Sequence, residues 1–251
     1  MLSYITVRGP DLEAVYDVVR DEGIVSFDSL AELFCMPEEG VGSVKTGQLR
    51  DCLNLLRAID ILDVTKPPKT ENYKLEEGLK HDSFPILLLN KLRLAKDRSF
   101  YEVQRLIVRK DILHVHVDEL KRIVESALDL NFAWTVEKLN FWMSMAHFLG
   151  LGRRSYRRFV CYPKPDLIEN LLQDFFANNK AEQAHPRDFF NYVSSEFFEC
   201  LTEQGQLFQG FQQTMSLLER KGTVRLIPLS DDPNPIQVGK KHVSLLSIMG
   251  G

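Results

Sequence analysis

The sequence predicts a mainly α fold with small β-hairpins, arranged as tandem helical modules that each end in a hairpin and are joined by a helical connector. Two observations carry this expectation. Apolar residues recur at helical spacing along most of the chain. At three places, LNLLRAIDILDV, FWMSMAHFLGLGRR and MSLLERKGTVRL, an apolar helix gives way within a few residues to an alternating strand. A length of 251 residues with 44% apolar content is enough to bury a core, whether in one large domain or several small ones.

Taken in order, DLEAVYDVVRDEG has a helical apolar face (Leu12, Val15, Tyr16, Val18 and Val19) closed by Gly23. SFDSLAELF follows with a Ser26 or Asp28 cap, and KTGQLRDCLNLLRAI is a longer helix with Leu49, Cys52, Leu53, Leu56 and Ile59 on its apolar side. The period then changes to alternation in ILDVTKPPKTENYKLE, whose centre, PPKT, forms turns, so a hairpin is expected. FPILLLNKLRLAKDRSFYEVQRLIV reads as two helices whose Leu87, Leu88, Leu89, Leu92, Leu106 and Ile107 require burial. VDELKRIVESAL and TVEKLNFWMSMAHFLG are two further helices, with Asp118 as the expected cap of the first, followed by the hairpin GLGRRSYRRFVCYP. PDLIENLLQDFFANN, HPRDFFNYVSSEFF and QLFQGFQQTMSLLERKG repeat the helical order, and TVRLIPLSDDPNPIQVGKKHVSLLSI is expected to form two strands around SDDPNP. The modules so defined are 1–80, a short one at 117–164 and 165–251, with residues 81–116 as the connector.

This order of elements, clearest in KTGQLRDCLNLLRAIDILDVTKPPKTENYKL, resembles the winged helix-turn-helix superfamily of DNA-binding proteins. The resemblance implies a third helix that enters the major groove and a hairpin wing beside it. The superfamily also includes modules that bind only proteins.

Charge is unevenly spread. Net charge is −6 over residues 1–80, +6 over 81–164 and −4 over 165–251, in a chain of net charge −4. An acidic whole excludes wholesale coating of nucleic acid, so any such contact is local. The densest cations are Arg153, Arg154, Arg157 and Arg158, with Tyr156 between them. Held together in a short hairpin they repel one another, and three environments relieve this: phosphate, an acidic surface of this chain or a partner, or solvent. In the first module the corresponding positions are Lys45, Thr46, Gln48 and Arg50 at the start of the third helix, with Lys66, Lys69 and Lys74 on the wing. In the last module Gln206, Gln209, Gln212 and Gln213 are read as ordinary helix-surface residues, beside Lys240, Lys241 and His242 on the wing.

The chemistry of catalysis is not apparent. GVGSVKTG, residues 40–47, has Val44 where a phosphate-binding loop needs glycine before its lysine. His114 and His116 would share one face of a strand, but no second cluster completes a metal site. His147 is expected to be a packed residue. The four cysteines, Cys35, Cys52, Cys161 and Cys200, are widely spaced and read as buried apolar residues. No metal, no cofactor and no enzymatic activity are expected. The N-terminus lacks a signal-like apolar region and FPILLLN is far short of a membrane span, so a cytoplasmic chain without a membrane partner is expected. The sequence therefore points to a non-enzymatic DNA-binding protein, a regulator or recognition subunit that contacts double-stranded DNA through its basic middle. The alternative is a winged-helix scaffold for protein partners or a homo-oligomer.

Overall fold

A computed structural model describes residues 4–35, 46–65, 70–79, 83–128 and 133–249. The described residues form helices and small antiparallel sheets of two or three strands, in two compact units, Met1–Phe100 and Tyr101–Gly251. Among them no helix is long and apolar enough to cross a membrane.

The first unit begins with α1 (Gly9–Glu22), which has Pro10 in its first turn and ends at Gly23. Gly23 takes φ +82°, a value open to glycine, and lets the chain pass at once into β1 (Ile24–Ser26). Ser26 caps α2 (Phe27–Phe34), its hydroxyl accepting from the Ser29 amide at 3.1 Å. Then come α3 (Gly47–Ala58) and the hairpin of β2 (Leu62–Thr65) and β3 (Asn72–Leu75). β3 lies between the other two strands, so the sheet order is β1-β3-β2. Leu12, Val15, Val19, Leu53, Leu56 and Tyr73 fill the interior. α4 (Phe84–Leu94) closes the unit, with the Phe84 ring 4.8 Å from that of Tyr16.

The second unit repeats the order. α5 (Ser99–Arg109) carries the boundary in its first turn and is followed by β4 (His114–His116), α6 (Val117–Ala127), α7 (Val136–Phe148) and the hairpin of β5 (Arg153–Ser155) and β6 (Arg158–Val160). The sheet order is β4-β6-β5, matching that of the first unit. The expected connector at 81–116 is therefore divided: α4 packs in the first unit, while β4 pairs with β6 and supplies a strand of the second. The signal missed was short: three residues of strand between two helices. His116, not Asp118, caps α6, its Nδ1 lying 3.4 Å from the Asp118 amide.

A third passage through the same order follows with α8 (Pro165–Asn179), α9 (Pro186–Glu196), α10 (Gln209–Lys221) and β7 (Val224–Ile227). Ahead of α9, Ala184 exchanges two backbone hydrogen bonds with Leu246, taking the place of β1 and β4. The last segment differs from the two strands expected around SDDPNP. β7 pairs with β10 (Leu245–Ile248), and between them an inner hairpin, β8 (Ile236–Val238) and β9 (Lys241–Val243), turns at Gly239 and Lys240. Asp232 is tied back to its own loop, accepting from the Asn234 amide at 2.9 Å, so SDDPNP bends the chain without joining paired strands.

Helical spacing places Phe141, Trp142 and Met145 of α7 in the core, with Phe148 half-buried. The Trp142 ring meets Phe159 of β6 edge-on at 5.2 Å and is 1% exposed. Trp142→Ala is expected to lower stability by about 3–5 kcal/mol, read as a reduced urea midpoint. A loss below about 1 kcal/mol would place the ring outside the core.

Candidate nucleic-acid interface

Alternation along β5 and β6 decides where each hairpin residue points. Arg153 pairs with Val160, Arg154 with Phe159 and Ser155 with Arg158. Phe159 is buried, so Arg154 shares the inward face. Its guanidinium lies against α7, donating to the Asn140 carbonyl and side-chain oxygen, each at 3.3 Å, and to the Ser144 hydroxyl, while Nε reaches the Tyr156 carbonyl at 3.2 Å. Arg154 is thus a structural arginine, not part of an open cationic surface. Arg157 donates to the Asp118 carboxylate at 2.7 Å, an intramolecular pair.

Arg153 and Arg158 remain. Both are exposed and, among the described residues, neither side chain has a hydrogen-bond or ion-pair partner. They lie on the outward face, which β4 extends: His116 pairs with Arg158 and His114 with Val160. The two histidines do share a face, but among the described residues no group of three or more metal-ligating side chains forms. His147, expected to be packed with one ring nitrogen satisfied, is exposed at the end of α7, though its Nδ1 does lie 3.3 Å from the Gly152 carbonyl oxygen.

At the hairpin tip Tyr156 has φ +53° and is 86% exposed. A bulky residue in the left-handed region is strained by an amount on the order of 1 kcal/mol, and no burial offsets it here.

The first unit presents a different picture. Arg50 stacks on the Phe27 ring, 4.0 Å from its centroid, and the Gln48 amide donates to Asp11. Lys74 lies 3.5 Å from Asp63. Thr46 precedes α3 without a side-chain capping bond. Lys45, Lys66 and Lys69, and most of GVGSVKTG, lie outside the described residues. Of the expected donors at the start of α3, Gln48 is therefore occupied within the chain, while Arg50 is held against Phe27.

The sequence reading missed a polar trough in the second unit. It has a volume of about 770 Å³, and one wall is Arg153, Tyr162 and Lys164. The other is one face of α10, with Gln209, Gln213, Ser216 and Arg220 at helical spacing, and Gln237 and Gly239 of the inner hairpin close it. No carboxylate lines it. Two contacts fix its floor: Thr214 donates its hydroxyl to the Pro163 carbonyl at 2.8 Å, and α10 approaches Cys161 so closely that a Cβ on Gly210 would sit 2.2 Å from its carbonyl oxygen. Cys161 beside it is buried, which pushes its thiol up to about 12 and keeps it protonated at neutral pH. The glutamine spacing was visible in the sequence; its opposite wall was not.

Compared with known proteins, the chain matches no family model and no curated protein.

Two expected outcomes separate the roles of these residues. Arg154→Ala is expected to lose about 1.5–3 kcal/mol of stability, whereas Arg153→Ala changes it by less than about 0.5 kcal/mol; chemical denaturation of both variants checks this. Tyr156→Gly is expected to raise stability by up to about 1 kcal/mol by relieving the backbone at the tip, seen as a higher melting temperature.

Proposed function

We propose that this chain is a non-enzymatic DNA-binding protein built from tandem winged helix-turn-helix modules, a regulator or recognition subunit whose main contact with duplex DNA is the outward face of the β4-β6-β5 sheet. The observation that carries this reading is the composition of that face. Arg153 and Arg158 stand on it with His114 and His116, and none of its paired positions is acidic. Guanidinium groups suit phosphate through paired hydrogen bonds, and a strained, exposed Tyr156 at the tip is placed to meet a sugar-phosphate backbone. The repeated order of helix, strand, two helices and hairpin, with the first strand beside the last, supports the winged-helix assignment for each repeat.

A second reading, a protein scaffold, draws on the first unit. Ile24 and Leu33 are exposed there, 65% and 66%, within a segment of net charge −6. Such a surface fits a partner with basic and apolar residues.

The test is a titration of wild type and Arg153→Ala/Arg158→Ala with a random labelled duplex at two salt concentrations. Each lost phosphate contact is expected to reduce the log-log salt slope by about 0.9, with specific and random duplexes affected alike. Unchanged affinity at both salts removes this sheet from DNA binding.

A further inference from the structure

We infer that the trough between α10 and the 160–164 segment binds an unpaired nucleic-acid strand, so that the protein prefers duplexes carrying a single-stranded tail; this rests on the reading of the chain as a nucleic-acid-binding protein. The shape argues first. A volume of about 770 Å³ falls in the range of about 300–1,000 Å³ that encloses small organic ligands. A concavity of that size can take a group as large as a nucleotide base.

The chemistry of the lining agrees. Arg153, Lys164 and Arg220 supply three cations, and Gln209 and Gln213 supply exposed amides that can donate and accept at base edges, while Gln237 donates to the Gly239 carbonyl at 3.1 Å and keeps its oxygen as an acceptor. Tyr162 adds an aromatic ring, held in place by the His114 ring 5.7 Å away. A cationic groove with an aromatic wall is how single strands are held without strict sequence readout. An acidic peptide would also answer the cations but would leave the amide donor-acceptor pairs and the ring with less to do.

The geometry of α10 points the same way. As third helix of its repeat it would be the one offered to a major groove. Here Gln212 is occupied instead, donating to the Leu207 carbonyl at 2.6 Å and accepting from the Gly239 amide at 3.2 Å. The inner hairpin thereby covers one side of the helix, and Lys241 is pinned to Glu219 at 2.7 Å. Gln209 and Gln213, on the exposed face of the helix, look into the trough.

The experiment compares a blunt duplex with the same duplex bearing a short oligothymidine tail, by fluorescence anisotropy, for wild type, Arg158→Ala and Lys164→Ala/Arg220→Ala. Wild type is expected to bind the tailed duplex at least about fivefold more tightly, the lower end of what one stacked base contributes. Lys164→Ala/Arg220→Ala should lose that preference and keep its affinity for blunt duplex; Arg158→Ala should weaken both substrates and keep the preference. Equal binding of tailed and blunt duplex by wild type overturns the inference while leaving the duplex contact standing. Loss of tail preference accompanied by a lowered melting temperature is resolved by Gln213→Ala, an exposed helix substitution that should reduce the preference without unfolding. Displacement of the tail by polyglutamate as effectively as by oligothymidine assigns the trough to an acidic polypeptide and overturns the inference. Absence of binding to any nucleic acid removes both readings together.

Discussion

Each repeat of this chain depends on one antiparallel pairing, between the short extended segment ahead of its second helix and the returning arm of its hairpin. β1 meets β3, β4 meets β6, and Ala184 meets Leu246. Without that pairing the hairpin would be a two-stranded ribbon, marginal on its own in water. With it, the hairpin is fastened to the helical layer and has an inside and an outside. Val25 and Tyr73, Val115 and Phe159, and Leu226 and Leu246 turn inward and are buried. In the first two repeats the alternate positions, such as Ile24, His114 and Arg158, face the other way and are exposed.

That alternation redistributes the charge cluster of the middle repeat. Four arginines within six residues would repel one another strongly if all faced the same way. One is folded inward onto uncharged oxygens of α7, one is neutralised by Asp118, and two face out on neighbouring strands. The repulsion is therefore relieved mostly inside the chain, and the remaining pair is spaced by the sheet rather than by flexible side chains. The trough gains from the same arrangement, since Arg153 forms one of its edges while standing on the outward face.

Much of the fold was legible in the sequence because helices announce themselves by periodicity over several turns. Most core positions of α3 could be read from spacing, though Leu55 is buried too, while α7 is buried around more of its circumference, Met143 included. The three-residue strand His114–His116 could not be read so, since it is too short to show a period and its central Val115 finds its partner 44 residues on, at Phe159. The inner hairpin at Gly239 escaped for a related reason: SDDPNP is the stronger turn sequence, but pairing of β7 with β10 is decided by tertiary packing. The candidate site was legible only in part. Arginine was recognised as suitable chemistry, whereas the glutamines of α10 read as ordinary helix surface and the inward turn of Arg154 required knowing that it faces Phe159 across the strands. The bearing of Lys164 on α10 required the packing of segments about fifty residues apart, of which one sequence carries no trace.

The approach of α10 to the chain at Cys161, with only the hydrogen of Gly210 between helix and carbonyl, also bears on how such a surface could change over evolutionary time. The spacing of the two walls is set there by backbone against backbone, with the Thr214 hydroxyl on the Pro163 carbonyl as the second tie. Residues such as Gln209, Gln213 and Arg220 project from a frame they do not hold up, so each can be exchanged while the frame keeps its dimensions. Selection is then free to alter the chemistry of that surface at little structural penalty, and the position under tightest constraint is the one that has no side chain at all.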